Sequence, residues 1–319
     1  MLSTVEPEIA PHATSRSAER IGLRYLGILF IIPLAAFIFP YVAERSQFLK
    51  EATLSRLGQV LDYSYRATNQ NADVVVFGDS AALYNIDPAR LSASLGLKVI
   101  NLPNTRDSLV VAGDETLRRY LRNNRPPRLI VFYFVPWDLN LDDPQLRFYD
   151  GEEMLFRHGT WRQIFTFARK RPQELLFFPF RFYAAGSKLT DFMHADRYVP
   201  PVVVLGHVPY PGARPLPTNC VLPSSILQMR DRDFVEHLLT TFSASKTETL
   251  VILSPVPSCL HASEVQGRQY LNGKAAPPVL LAPEGFGDDE AYSHELASLV
   301  ATSTEILEQA IRAKLLGGS

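Results

Sequence analysis

An α/β domain built on a parallel sheet, carried behind one membrane-crossing helix, is the architecture this sequence predicts. Three observations predict it. Short unalternating runs of β-branched and aromatic residues recur, "DVVVF", "KVINL", "PRLIVFYFV" and "TLVIL", as expected of strands buried on both faces. Helical segments separate the first three, the alternation that a doubly wound sheet requires. Ahead of them stands "YLGILFIIPLAAFIFPYVA", Tyr25 to Ala43, without a single charge.

Residues 1–21 are rich in Pro, Ser and Thr and poor in apolar side chains, and read as a disordered cytoplasmic tail. Residues 22–44 read as a transmembrane anchor. At 1.5 Å per residue the run Tyr25–Ala43 covers about 28 Å, close to the thickness of a bilayer's hydrocarbon. Core helices are rarely apolar on every face, which disfavours a buried helix. A signal peptide would have an apolar stretch of about 7–15 residues and a small residue where Tyr41 stands, so an uncleaved anchor is preferred. Pro33 is tolerated in such helices. Arg16, Arg20 and Arg24 precede the run, while Glu44, Arg45, Lys50 and Glu51 follow it. That balance predicts a single-pass protein of the inner (cytoplasmic) membrane, its body in the periplasm or outside.

Residues 45–71 are expected to form a linker or stalk helix, or a first helix of the body, and residues 72–319 the α/β domain. Within it, Asp73–Phe77 is the first strand. "DPARLSASLG" is a helix with Asp87 as N-cap, Pro88 at its first position and Gly96 as its stop. Lys98–Leu102 is a second strand, "DSLVVAGDETLRRYLRNN" an amphipathic helix, and Pro127–Val135 a third strand. From about 141 to 246 the alternation lapses into an insertion over the sheet's carboxyl edge. It comprises the helical, aromatic "RQIFTFARKRPQELLFFPFRFYAAGSKL", a Pro-rich stretch, and a helix in "SILQMRDRDFVEHLLTTFSAS". "LLFFPFRFYAA" suits a buried core, its commoner use, or a membrane surface. "ETLVILSPV" resumes the sheet, and a final helix follows "GFGDDEAYSH" to about Leu315.

Composition narrows the function. The chain has 319 residues, 46% of them hydrophobic, and a formal net charge of -1, which leaves no Lys/Arg excess for nucleic acid. No Gly-rich phosphate loop follows a strand, which disfavours a nucleotide site. No His, Cys and carboxylate residues stand at ligand spacing, so neither a metal nor another cofactor is expected. Cys220 and Cys259 suit a disulfide in an oxidising compartment or two buried thiols, and both remain open.

Two stretches carry chemistry. "VVVFGDS" delivers Ser80 to the carboxyl end of the first strand, where open α/β sheets bind their ligands. A serine there meets the needs of a hydroxyl nucleophile with N–H groups beside it, although Ser is also a frequent helix cap. "GFGDDEAYSHELASL" places His294 before the last helix, just after Asp288 and Asp289. A carboxylate orienting an imidazole is the arrangement of a general base. None of His158, His194, His207, His237 and His261 combines an acid just upstream with a strand–loop–helix setting.

Taken together, "VVVFGDS", "KVINLPNTRDSL", "RLIVFYFVPWDLN", "TLVILSPV" and the terminal Asp/His loop resemble the SGNH (GDSL-like) hydrolase superfamily, over about Asp73–Leu141 and Thr249–Leu315. The resemblance implies a flavodoxin-like three-layer sandwich with a parallel sheet and an esterase, deacetylase or acyltransferase activity. Ser80 would be its nucleophile, His294 its base, and Asp289, with Asp288 in second place, the orienting acid. Asp79, Asn104, Trp137 and Asn140 would form the oxyanion and substrate-binding rim. Three departures accompany it. The family's acid lies three residues before the His, where this chain has Ala291. Pro103, which has no N–H, and Asn104 stand where an oxyanion Gly is usual. If Asp138 matches the third motif, Trp137 replaces its Asn, and Asn140 would need another loop path. One missing oxyanion donor costs about 10²–10³ in rate.

Anchored members with a lapsed third motif resemble periplasmic proteins that add or remove acyl groups on exopolysaccharide. The implied substrate is an acylated cell-surface glycan, with polysaccharide assembly proteins as possible partners. Trp137, Tyr149 and Trp161 serve either as stacking platforms for sugar rings or as core. The alternative is a degenerate SGNH-like module that binds glycan or scaffolds an export complex.

Overall fold

The computed structural model describes residues 15–46, 56–136, 149–184, 204–210, 233–243, 247–260, 279–286 and 295–317. Its first element, α1 (Ser15–Arg45), starts within the stretch expected to be a disordered tail. Each residue added to an existing helix gains a hydrogen bond at little further cost, so the apolar run propagates its helix backwards. The part Arg24–Arg45 is long and apolar enough to cross a membrane. Most of its side chains face outward, with Leu29 67% and Phe30 74% exposed, unlike those of a core helix.

The helix α2 (Arg56–Arg66) is not a free stalk. Val60, Leu61 and Tyr65 are buried in the domain, and the Ser64 hydroxyl donates to the carbonyl of Pro103 at 2.9 Å. Its apolar stripe has a partner surface, so it docks.

Strand β1 (Val74–Gly78) and helix α3 (Ser80–Asn85) come next, and then α4 (Pro88–Leu95), capped as expected. Asp87 Oδ1 accepts from the N–H groups of Ala89 and Arg90 at 2.9 and 3.1 Å. Strand β2 (Val99–Pro103) leads into α5 (Arg106–Ala112) and α6 (Glu115–Asn123), where one continuous helix is expected. Gly113 divides them. Its φ of 59° closes α5 through an N–H bond to Leu109 and turns the chain. Strand β3 (Leu129–Phe134) completes the first half.

Within the insertion, α7 (Tyr149–His158), α8 (Trp161–Lys170) and α9 (Pro172–Ala184) are consecutive helices. The expected single helical stretch breaks at Arg171, because a residue before Pro is pushed out of the helical region. Thr160 caps α8 in a reciprocal capping box with Gln163. The chain continues through α10 (Asp233–Ser243), β4 (Glu248–Leu253), the short β5 (Val256–Pro257) paired with β6 (Leu280–Leu281), and α11 (Ala297–Leu316). Cys259 is disulfide-bonded, whereas Cys220, the only other cysteine in the chain, lies outside the described residues.

The main sheet has the order β2-β1-β3-β4, with every pair parallel. Alternate residues serve opposite faces. Val75, Phe77, Phe132 and Phe134 pack with Leu117, Tyr120 and Leu238 of α6 and α10. Val74, Val76, Val131 and Tyr133 pack with Ala81, Leu91, Leu307 and Ile311 of α3, α4 and α11. Helices therefore cover both faces, and the strands β1–β3 are almost wholly apolar because neither face meets water. Asn101 in β2 is buried with its amide nitrogen bonded to the carbonyls of Ala82 and Ile86. Each such Val or Phe contributes roughly 1.5–3 kcal/mol by burial.

Candidate functional site

The chain passes from β1 to β2 on one side and reaches β3 on the other, so the crevice outside β1 and β3 is a topological switch point, where such sheets bind ligands. Gly78 ends β1 there. A Cβ at this position would sit 1.9 Å from the carbonyl oxygen of Tyr133 and 2.8 Å from Cβ of Ala82. Only glycine lets β3 and α3 approach this closely. Asp79 follows, fully buried, with both carboxylate oxygens engaged. Oδ1 accepts from the N–H of Ala81 at 2.8 Å and Oδ2 from the N–H of Val135 at 2.9 Å. Asp79, not Ser80, is thus the cap of α3, and it also ties the turn to the end of β3. Ser80 occupies the first helical position and is half-buried.

Asn104 lies beside this turn but faces the framework. Its N–H donates to the carbonyl of Gly78 at 2.9 Å, and its amide nitrogen reaches the carbonyls of Gly78 and Leu102 at 3.4 and 3.2 Å. At 2% exposure, it presents none of these donors to a ligand as arranged here. Through these bonds Asn104 pins the ends of β1 and β2 together. Ser108 and Thr116 hydroxyls meet its side-chain oxygen at 3.5 and 3.3 Å.

At the far end of α3, Asn85 joins a buried polar group that no local motif announces. Its Nδ2 donates to Ser254 Oγ at 3.1 Å, and Tyr133 OH reaches the same oxygen at 3.2 Å. Asn85 Oδ1 accepts from the N–H of Glu295 at 3.0 Å. Glu295 pairs with Phe286 in an isolated antiparallel bridge. The Glu295 carboxyl is buried, accepts from Ser303 Oγ, and is pushed up to about 8 by loss of hydration. Tyr133 is pushed up as well, by burial first and by the nearby Glu295 next.

Among the expected site residues, the structure brings Asp79, Ser80 and Asn104 together. His294, Asp289, Asp288, Trp137, Asp138 and Asn140 lie outside the described residues. Trp161 is 62% exposed, with the Arg45 guanidinium 4.3 Å above its ring.

Two histidines passed over in the sequence have partners in space. His207 Nδ1 donates to the carbonyl of Leu83 in α3 at 2.9 Å. His158 Nε2 lies 2.6 Å from Asp62 Oδ1, its ring stacked on Tyr65. Burial holds His158 below its ordinary value despite Asp62. Asp62 is 96 residues upstream, so proximity in sequence gave no signal. A cleft of about 710 Å³ opens between α5–α6 and α7–α8, lined by Arg162, Lys170, Arg171, Glu115 and Tyr65. It shares no lining residue with the Ser80 turn. No three His, Cys, Asp or Glu residues among those described converge as metal ligands. No protein family, curated protein or solved structure matches this chain.

Proposed function

We propose that the chain is a membrane-anchored serine esterase or O-acyltransferase of the SGNH type acting on acyl groups of a cell-surface glycan. The observation that carries this reading is Ser80 at the first position of a helix, at the β1/β3 switch point, its turn fixed by a buried aspartate with both oxygens engaged. A nucleophile needs that kind of immobility. The base, His294, immediately precedes Glu295. The Glu295 N–H is held by Asn85, five residues after Ser80 and so about 8 Å along α3.

In this reading Ser80 Oγ attacks the ester carbonyl carbon and His294 takes its proton. Collapse of the tetrahedral adduct breaks the bond to the sugar oxygen, which leaves with that proton. The acyl group on Ser80 then passes to water or to another sugar hydroxyl, which gives its proton to His294. Asp289 orients the imidazole, and Trp137 and Asn140 complete the rim. The apolar run Arg24–Arg45 and the disulfide at Cys259 support an anchored body in an oxidising compartment. The inner membrane, with a periplasmic domain, fits both.

A second reading is a degenerate module of this type that binds glycan without turnover. The engagement of Asn104 with backbone carbonyls favours it, and the Arg- and Lys-lined cleft near α8 would serve an anionic chain. Ser80→Ala decides between the two in the full chain. Loss of ester turnover and of labelling by a serine-reactive phosphonate supports catalysis. Labelling undiminished in the variant, or absent from the native protein, rejects it.

A further inference from the structure

Helix α9 divides its side chains between two surroundings. Phe178 and Phe182 pack with Ala43 and Phe156, joining α1, α7 and α9 into one apolar cluster. Leu176, Phe177, Phe180 and Tyr183 form the opposite stripe and are 60%, 54%, 65% and 49% exposed. The charge in the second half of α9 is turned away from that stripe. Arg181 pairs with Glu152 at 2.6 Å and with Glu174 at 3.0 Å. In water, four large apolar side chains on one stripe are an unusual surface for a soluble domain.

What covers the stripe follows from where α9 runs. Tyr41 OH donates to the carbonyl of Leu175, Phe182 meets the ring of Phe39 at 6.2 Å, and Tyr183 OH donates to the carbonyl of Ala36 at 2.7 Å. The first turn of α9 therefore stands level with Tyr41 and its last turn level with Ala36. Ala36 is nine residues before Arg45, about 14 Å down a helix whose apolar part spans about 33 Å. The stripe continues the outward surface of α1, where Leu34, Ile38 and Phe39 are exposed at the same depth. At the upper end, α8 exposes Trp161 and Phe165 near Arg45 and carries Arg162, Arg169 and Lys170. Aromatic and basic residues together are typical of the headgroup layer.

We propose that α9 inserts beside α1 into one leaflet of the bilayer, with its Leu176–Phe177–Phe180–Tyr183 stripe against lipid acyl chains. Two helices then hold the α/β domain to the membrane surface at a fixed height, where one would leave it free to swing. The inference rests on the reading that α1 crosses a membrane.

The test uses the full chain in phosphatidylcholine–phosphatidylglycerol vesicles, with and without acyl-chain-brominated lipid. Ile31→Trp on α1 and Phe180→Trp on α9 are each compared with the parent, whose own tryptophans set the background. Both added emissions are expected to lose about half their intensity to bromine, as acyl-chain contact requires. Quenching at position 31 without quenching at position 180 overturns the insertion of α9 and leaves the anchor standing. Blue-shifted emission at 180 that bromine leaves intact also overturns it and assigns the stripe to a second copy or a partner protein. If neither position is quenched, the membrane reading of α1 fails as well. Phe177→Trp repeats the measurement on the same stripe should the 180 variant not fold.

Discussion

The crevice at Ser80 and the collar at α9 are finished by opposite physics. At the crevice, buried polar atoms converge from distant parts of the chain. Asp79 meets Val135, Asn104 meets Gly78, and Asn85 meets both Ser254 and Glu295. At the collar, contacts are mainly apolar and one face is left uncovered. Directional bonds fix orientation to fractions of an ångström, as chemistry demands. Apolar surface has no such direction, so its exposure reports the medium it was selected for.

The sharpest way to break this contrast is to remove the hydroxyl at its centre. Ser80→Ala is expected to lower ester turnover by about 10³-fold or more while leaving the melting temperature unchanged. An unaltered rate in a steady-state assay would make the crevice a scaffold only. Gly78→Ala attacks the geometry. With a Cβ 1.9 Å from a carbonyl oxygen, β1 and β3 must separate, and a loss of more than about 3 kcal/mol in a urea melt is expected.

Glu295 sharpens the comparison through pH. Its folded-state value of about 8 lies above the ordinary 4.5, so its contribution is intact below about 4.5, declines as pH rises, and is lost above about 8. At 1.36 kcal/mol per unit, the decline is on the order of 4–5 kcal/mol. Glu295→Gln should flatten the stability–pH profile between those limits, and parallel profiles for the two proteins would contradict it.

Asp79→Asn keeps one acceptor and gives up the other, at an expected cost of about 1.5–3 kcal/mol, with kcat falling as the turn loosens. Smallest is Asp87→Ala, remote from both regions. Loss of a cap bonded to two N–H groups should cost about 1 kcal/mol in the same melt, with kcat unchanged.

The four strands of the main sheet lie where their apolar runs predict. The bounds of β1, β2 and β3 are shifted by a residue or two, and β4 starts at Glu248 as expected but ends three residues early, at Leu253. The α4 helix, with Asp87, Pro88 and Gly96, was legible entire. Local signals sufficed because β-branched runs and caps act over a few residues. The placement of Ser80 at a strand end was legible too. The Gly113 break was missed because "DSLVVAGDETLRRYLRNN" keeps its apolar spacing across the glycine. Whether α2 stands as a stalk or docks as a first helix was left open, because an amphipathic stripe does not name its partner. The buried group of Asn85, Tyr133, Ser254 and Glu295 gave no signal, since its members are spread over 210 positions and none is unusual locally.

The sequence by itself determined the strand–helix alternation, the apolar first helix, and the Gly-Asp-Ser turn at the end of β1, all consequences of short-range sterics and burial. Only the tertiary structure decided that Asp79 caps the turn and clasps β3, that Asn104 faces the framework, and that α9 runs beside α1 down to Ala36. Those outcomes depend on which hydrogen-bond and packing partners meet in three dimensions, and a linear pattern carries no record of that meeting.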